Sequence, residues 1–228
     1  MEPKKIAAGV AGVLGVLVLG FVGVVSMQPA TMDIHRTYTV EAPAEILFAL
    51  VNDFDNHPQW EPWGAKDPAM LVTNSETTAG VGAWSSWEGN DDVGSGKQTI
   101  VESLPNSKVV TSLEFIAPFE AKNTATFTFV EDGGGTTVTW RITGENDFGG
   151  KMAGMFMDID AMIGADFEMG LQQLGVAAAA ELDRRRVEDA VKLQLAHEEA
   201  AAKLAAEAEI AGEEVEEAPV APATEEAG

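Results

Sequence analysis

The feature that most constrains this chain is a change in the period of its apolar residues near residue 150. Between Ala69 and Gly144, apolar and polar residues alternate in short runs that are separated by turn residues, a pattern typical of β-strands buried on one face. From Gly150 onward, apolar residues recur every three or four positions, which predicts one long amphipathic helix. Successive strands with short turns favour an antiparallel sheet, so the sequence predicts an α+β fold with the helix covering the sheet.

A short aromatic segment follows the first predicted strand and helix after the N-terminal segment. Asp33 to Val40 alternates as a strand, and a helix opens near Pro43, a residue type suited to a first helical turn. The segment Asp53–Trp63 then contains two tryptophans and two prolines, and prolines at this spacing exclude a long regular helix. We interpret the segment as a lid or wall of an apolar pocket; the alternative is that both indole rings fill an ordinary corner of the core.

An uncharged apolar segment lies at the N-terminus. It runs from Ile6 to Met27, and as a helix rising 1.5 Å per residue it reaches across the ~30 Å hydrocarbon core of a bilayer. Lys4 and Lys5 precede it, so the positive-inside rule places the N-terminus in the cytoplasm. We therefore expect residues 1–28 to form a single-pass anchor in the cell membrane, with the domain on the extracytoplasmic (periplasmic) side. A cleaved signal peptide is the alternative, but the run is longer than a usual signal core and no clear cleavage site follows.

Charge and cysteine content exclude several functions. The chain carries 14 Lys+Arg and 37 Asp+Glu, a formal net charge of -23, and such a chain repels nucleic-acid phosphates. It contains no cysteine, which rules out a thiol nucleophile and a cysteine-based zinc site. Acidic residues in the Asp91–Asp92 region match no calcium-loop spacing. We expect no nucleic-acid partner, no metal site and no cofactor.

Several segments together resemble a known family. They are EAPAEILFALVNDFDNHPQWEPW, the sequence Trp87-Glu88-Gly89-Asn90, and the methionine-rich MAGMFMDIDAMIGADFEMGLQQL. This combination is similar to the polyketide cyclase/dehydrase-like branch of the START and birch-pollen-allergen (SRPBCC) superfamily, over residues 32–176. The resemblance implies a helix-grip fold, in which a curved antiparallel sheet of about six or seven strands wraps a long C-terminal helix around an apolar cavity. Members of the family bind lipids, sterols, polyketides or other hydrophobic molecules, and some cyclise polyketides.

The resemblance also points to residues for a ligand-binding cavity. The residues expected to line it are Trp60, Trp63, Trp87, Phe119, Trp140, Met155, Ile159 and Met162. Trp84 and Trp87 lie on opposite faces of one strand, so one of the two faces the cavity, and small neighbours favour Trp87. The leading hypothesis is a membrane-anchored binding or carrier domain for a lipid-like or polyketide-like molecule.

Two other functions remain open at this point. The first is an enzyme of the cyclase/dehydratase type, which needs an acid or base in the pocket; His57 is a weak candidate, and Glu102 and Glu114 are the carboxylates to test with it. An exposed loop histidine without a catalytic role is the alternative for His57. The second is a non-catalytic interaction module whose cavity is collapsed.

The C-terminal region has a different composition from the domain. Residues 177–211 are rich in Ala and Glu and predict a charged helix, which is either a solvated rod or a coiled coil. Residues 212–228 are acidic, contain two prolines and are expected to be disordered. This tail is either a solubilising extension or an arm for a partner that the sequence does not identify.

Overall fold

The computed structural model describes the backbone of residues 3–216 and the side chains of residues 14–207. The elements follow one another as α1 (Pro3–Ser26), β1 (Thr31–Val40), α2 (Ala44–Val51), a 3₁₀ helix (Phe54–Gln59), α3 (Trp63–Lys66), β2 (Leu71–Asn74), β3 (Trp84–Glu88), β4 (Ser95–Leu104), β5 (Lys108–Ala117), β6 (Ala121–Asp132), β7 (Gly135–Glu145), α4 (Phe148–Gly154) and α5 (Ile159–Glu216).

The seven strands form one antiparallel sheet in the order β1-β7-β6-β5-β4-β3-β2. The predicted α+β class and antiparallel sheet are therefore confirmed. Alternate residues on β6 and β7, such as Phe127 and Trp140, are buried, whereas their neighbours carry threonines on the outer face. The buried side is the concave face of the curved sheet, and the first turns of α5 cover it.

The helices near the sheet begin at side-chain caps from two sources. α2 has no side-chain cap of its own, because Pro43 occupies the cap position; instead, the Ala44 amide donates to Glu131 Oε1 of β6 at 2.8 Å. The 3₁₀ helix begins at Asp53, whose Oδ1 accepts from the Asp55 amide at 3.1 Å. Such caps satisfy amides that have no partner within the helix, and the Glu131 cap also ties α2 to the sheet.

The helix predicted from Gly150 onward is not continuous, and that prediction is wrong in this respect. α4 ends at Gly154, and a separate helix, α5, begins at Ile159. Asp158 starts the second helix, because its Oδ1 accepts from the Ala161 amide at 3.0 Å. A glycine ends the first helix and an aspartate caps the next, so local signals override the continuous apolar period.

Glycines on α5 allow two large side chains of the sheet to approach the helix closely. A Cβ atom at Gly170 would lie 2.7 Å from the Trp140 ring, and one at Gly164 would overlap the Arg36 guanidinium. Arg36 passes this point to reach Asp160 Oδ1 and Glu168 Oε1, each at 2.8 Å. α5 can therefore pack closely on the sheet because Gly164 and Gly170 leave room for Arg36 and Trp140. Arg36 of β1 also forms ion pairs with two carboxylates of α5.

Gly170 and Gly175 provide a matched test of this packing. We expect Gly170→Ala to destabilise the domain by about 1–2 kcal/mol, because the gain in helix propensity of ~1 kcal/mol is outweighed by overpacking against Trp140. Gly175→Ala should stabilise by ~0.5–1 kcal/mol, since its nearest atoms are at ordinary contact distance, 3.6 Å. Urea unfolding of both variants measures the difference; a stabilising Gly170→Ala would contradict the close approach.

The N-terminal helix covers most of the predicted membrane anchor. α1 spans Pro3–Ser26, but the side chains of residues 1–13 lie outside those that the structure describes. In the described part of the chain, no helix is long and apolar enough to cross a membrane. After α1, the linker is held to the loop that follows β7, because the Asn146 amide donates to Ala30 O at 2.8 Å and its side chain donates to Pro29 O at 3.2 Å.

The chain divides into two compact units, Met1–Glu181 and Leu182–Gly228. Within the second unit, the backbone is helical as far as Glu216, so the helix continues into the segment 212–228 that was expected to be disordered. The remaining residues, 217–228, lie outside the described part of the chain. The described side chains of this unit are almost all exposed and form local ion pairs such as Arg186–Asp183 at 3.0 Å.

Candidate functional site

An aromatic cluster fills the space between α5 and the β6–β7 half of the concave face. Trp140 stacks on Phe167 of α5 with ring centroids 4.1 Å apart, and on Phe127 at 4.8 Å. The rings of Trp60 and Trp63 meet Trp140 edge-on at 5.6 and 5.7 Å. The structure thus brings three predicted site residues together, but Trp60 and Trp140 are buried against protein rings and offer a ligand little free surface.

Trp60 is fixed by a hydrogen bond as well as by packing. Its indole N–H donates to Leu50 O of α2 at 3.0 Å, and the residue is almost fully buried. A buried indole N–H without a partner is costly, so this bond fixes the orientation of the ring. The short helix α3, which begins at the last residue of the aromatic segment, is tied to α5 through Lys66, whose Nζ lies 2.6 Å from Asp166 Oδ1.

His57 is part of the same cluster and lies between two aromatic rings. Its ring centroid is 4.9 Å from that of Phe54 and 4.7 Å from that of Trp60, and Nε2 lies 3.0 Å from Val51 O. Since a carbonyl oxygen only accepts, Nε2 carries the hydrogen and donates it. Burial lowers the pKa of His57 to about 4, so the ring is neutral at physiological pH. These contacts give it a structural role in holding the segment to α2.

A different part of the concave face has partly exposed aromatic side chains. Trp87, Gln98, Leu113 and Phe115, which we call the open corner, occupy two adjacent rows of β3, β4 and β5. The rings of Trp87 and Phe115 meet edge-on at 5.6 Å. Gly96 lies between them in the sheet, and a Cβ there would meet the Trp87 ring at 2.6 Å. The open corner therefore offers apolar surface together with the Gln98 amide, a group that can both donate and accept.

Trp84 and the two glutamates lie away from this face. Trp84 lies opposite Trp87 in the strand, and Lys97 Nζ lies 4.4 Å from the centroid of its ring. Glu102 pairs with Lys108 at 2.8 Å and Glu114 with Lys122 at 3.6 Å; these partners belong to the outer rows of the sheet. The described side chains thus place neither glutamate on the concave face as an acid or base.

The remaining predicted residues lie near the ends of the sheet and helices. Phe119 is in the β5–β6 loop with 81% of its surface exposed, and Met162 on α5 is 50% exposed. Met155 and Ile159, between α4 and the start of α5, are half-buried. The high exposure of Phe119 and Met162 sets them apart from the buried rings of Trp60 and Trp140, and a single cavity wall containing all eight residues stays a prediction.

A separate open groove of about 380 Å³ lies between the aromatic segment and α5. Its lining residues are Pro58, Gln59, Glu61, Gly64, Ala65, Gln173 and Val176. Burial raises the pKa of Glu61, but its Oε1 accepts from the Gly64 amide at 3.1 Å. The carboxylate thereby caps the short helix α3, and we assign it a structural role.

Sequence reasoning missed Arg36 and three of the four residues of the open corner. Arg36 shares the inward parity of Ile34 and Tyr38, and this alternation was the available signal for a charge facing the helix. Phe115 and Leu113 alternate in the same way along β5. The pairing that brings Phe115 beside Trp87 depends on the register shift between Ile100 and Glu102, which single-strand patterns do not contain.

Comparison with known proteins gives a family and a fold. The family described as "Polyketide cyclase / dehydrase and lipid transport" matches residues 31–179. A solved protein from Rhizobium leguminosarum has a TM-score of 0.51 at 14% identity, covering 68% of this chain and 99% of its own. The di-domain ARO/CYC protein StfQ, from the steffimycin biosynthetic pathway, has a TM-score of 0.50 at 12% identity, covering 68% of this chain and 52% of its own. At these identities, the structures indicate a shared fold. No curated protein matches the chain.

Proposed function

The chain belongs to the polyketide cyclase/dehydrase and lipid transport family, and we propose that its domain binds a hydrophobic small molecule, lipid-like or polyketide-like, at the open corner. The observation that carries this proposal is the pair of half-exposed rings, Trp87 and Phe115, on the concave face. Aromatic rings left partly in water gain free energy when a ligand covers them, at roughly 25 cal/mol per Å². Gln98 supplies a polar group to orient one end of the ligand.

We propose that Trp63 adds to this wall from the side of the aromatic cluster. It is half-buried and its ring lies perpendicular to that of Trp140, so it borders the filled half of the concave face. The filled half then acts as a rigid support rather than as the binding surface. This arrangement favours a carrier over an enzyme, because the described part of the concave face places His57 in a structural contact and Glu102 and Glu114 outside it.

Trp84 and Trp87 give a matched test of the binding proposal, since they lie in one strand on opposite faces. We expect Trp87→Ala to weaken binding of the apolar fluorophore N-phenyl-1-naphthylamine by about tenfold, which corresponds to ~1.4 kcal/mol for roughly a third of an indole surface. Trp84→Ala should change the affinity less than about twofold. Fluorescence titration measures both; equal effects, or no effect at Trp87, would exclude the open corner as the site.

We further propose that α1 anchors this domain in the cell membrane, with the N-terminus in the cytoplasm and the domain on the extracytoplasmic side. The uncharged segment Ile6–Met27 supports this proposal, as do the exposed apolar side chains of its described part, including four in succession from Val16 to Leu19. A helix that is apolar all round is stable in lipid rather than in water.

Flotation tests the anchor directly. We expect the full chain to rise with phosphatidylcholine vesicles in a density gradient and to resist extraction by carbonate. A variant that lacks residues 1–27 should remain in the aqueous fraction. If the full chain is released by carbonate to the same extent as the shortened variant, the anchor proposal fails while the binding proposal stands.

A further inference from the structure

Exposed apolar side chains lie at one end of the sheet, the end where the chain passes from α1 into β1. Strand pairing places the start of β1 beside the end of β7, the start of β6 beside the end of β5, and the start of β4 beside the end of β3. We call this the α1 end. The β5–β6 loop belongs to it and carries Phe119, which is 81% exposed.

The connection between the sheet and α5 adds further apolar residues at the same end. α4 follows directly after β7 and contacts α1, and the Asn146 bonds described above hold the linker after α1 against this connection. Phe156, just after α4, is 75% exposed. Other exposed apolar residues at this end are Met27, Ile116, Phe148, Met152 and Met157.

We propose that the α1 end of the domain lies on the surface of a lipid bilayer with neutral headgroups, with Phe119 and Phe156 inserted among the lipids. This inference rests on the proposed anchoring by α1, which brings the same end of the domain to the membrane. An exposed apolar patch of this kind is costly in water and is typical of an interaction surface, and aromatic side chains favour the membrane interface.

The charges at this end determine which lipids fit. The described side chains include acids from several elements, namely Asp91, Asp92, Glu120, Glu145, Asp147 and Asp158, against the bases Lys122 and Lys151. An anionic bilayer would repel this set, whereas zwitterionic headgroups carry no net charge. The contact is therefore expected to be stronger on phosphatidylcholine than on phosphatidylglycerol.

The position of the open corner gives this contact a role. Trp87, Gly96 and Phe115 pair in a row close to the α1 end, beside the pairs Glu88–Ser95 and Ser95–Ala117. Phe119 follows two residues after Ala117 in the chain. An apolar ligand leaving the bilayer at Phe119 thus has a short path to the binding wall, with little exposure to water.

Single labels test the contact, because the chain contains no cysteine and each introduced cysteine is labelled alone. Three variants of the full chain are made, Phe119→Cys, Phe156→Cys and Val130→Cys, and each is labelled with a nitrobenzoxadiazole fluorophore. The labelled chains are bound to phosphatidylcholine vesicles whose nitroxide lipids quench a fluorophore that enters the bilayer. Val130 is the matched control, since it is apolar and 61% exposed but lies toward the opposite end of the sheet. We expect at least threefold stronger quenching at residues 119 and 156 than at 130, with the difference reduced in phosphatidylglycerol.

The outcomes separate this inference from the anchor. Protein that floats with the vesicles but shows equal quenching at all three positions overturns the bilayer contact and leaves the anchor intact. Protein that does not float overturns both. Binding of N-phenyl-1-naphthylamine by the same labelled chains reports on the open corner independently of either result.

Discussion

Replacing Trp140 by alanine is expected to destabilise the domain by about 4 kcal/mol, the usual cost of removing a buried tryptophan. Trp140 contacts more of the aromatic cluster than any other ring described, with Phe127 and Phe167 stacked on it and the rings of Trp60 and Trp63 nearly perpendicular to it. Its removal takes away these contacts and leaves a cavity that the seated helix α5 cannot easily close. A loss of this size is a large fraction of the ~5–15 kcal/mol that stabilises a typical domain.

Urea unfolding followed by circular dichroism measures this loss, with Trp84→Ala as the control. Trp84 is half-buried on the outer face, where it contacts Lys97, so its removal should cost about 1 kcal/mol. A cost below ~1.5 kcal/mol at Trp140 would mean that the rings are loosely packed and that the filled half of the concave face can open for a ligand. The test therefore also separates rigid support from a flexible pocket.

The sequence was sufficient to predict elements whose pattern is local. The alternation around Phe127 and Trp140 predicts their strands and their shared inward face, and the three-to-four spacing after Gly150 predicts a helix over the sheet. The break at Gly154–Asp158 was missed, because a glycine and an aspartate within an apolar repeat are weak signals when each is considered alone.

The candidate site was harder to predict, because its geometry depends on contacts between distant segments. Trp60 and Trp140 were expected to line a cavity, yet they pack on each other; ring-to-ring packing depends on how closely α5 approaches, and that distance is set by Gly164 and Gly170. Phe115 was not predicted as a site residue, because its contact with Trp87 arises only from strand pairing across β4. Pairing register and helix approach are tertiary properties that residue periodicity does not fix.

The second large effect is a loss of stability in acid that arises from His57. An unfolded histidine has a pKa near 6.5, whereas burial lowers the pKa of His57 to about 4 in the folded protein. The folded state therefore binds a proton less readily than the unfolded state. The contribution of this group is fully present above pH ~6.5 and is lost as the pH falls from ~6.5 to ~4, by up to about 3 kcal/mol.

His57→Gln isolates this effect from the many carboxylates that titrate over the same range. Glutamine keeps an N–H that can donate to Val51 O, but it does not gain a charge in acid. We expect the variant to lose about 1–2 kcal/mol at pH 7.5 through poorer packing against Phe54 and Trp60, and to be as stable as the unmodified protein, or more stable, at pH 4.5. Urea unfolding at both pH values gives the difference. Parallel curves of stability against pH for the two proteins would mean that the His57 ring binds a proton as readily in the folded state as in the unfolded state. That result would reopen the possibility of an acid–base role beside the ligand-binding wall.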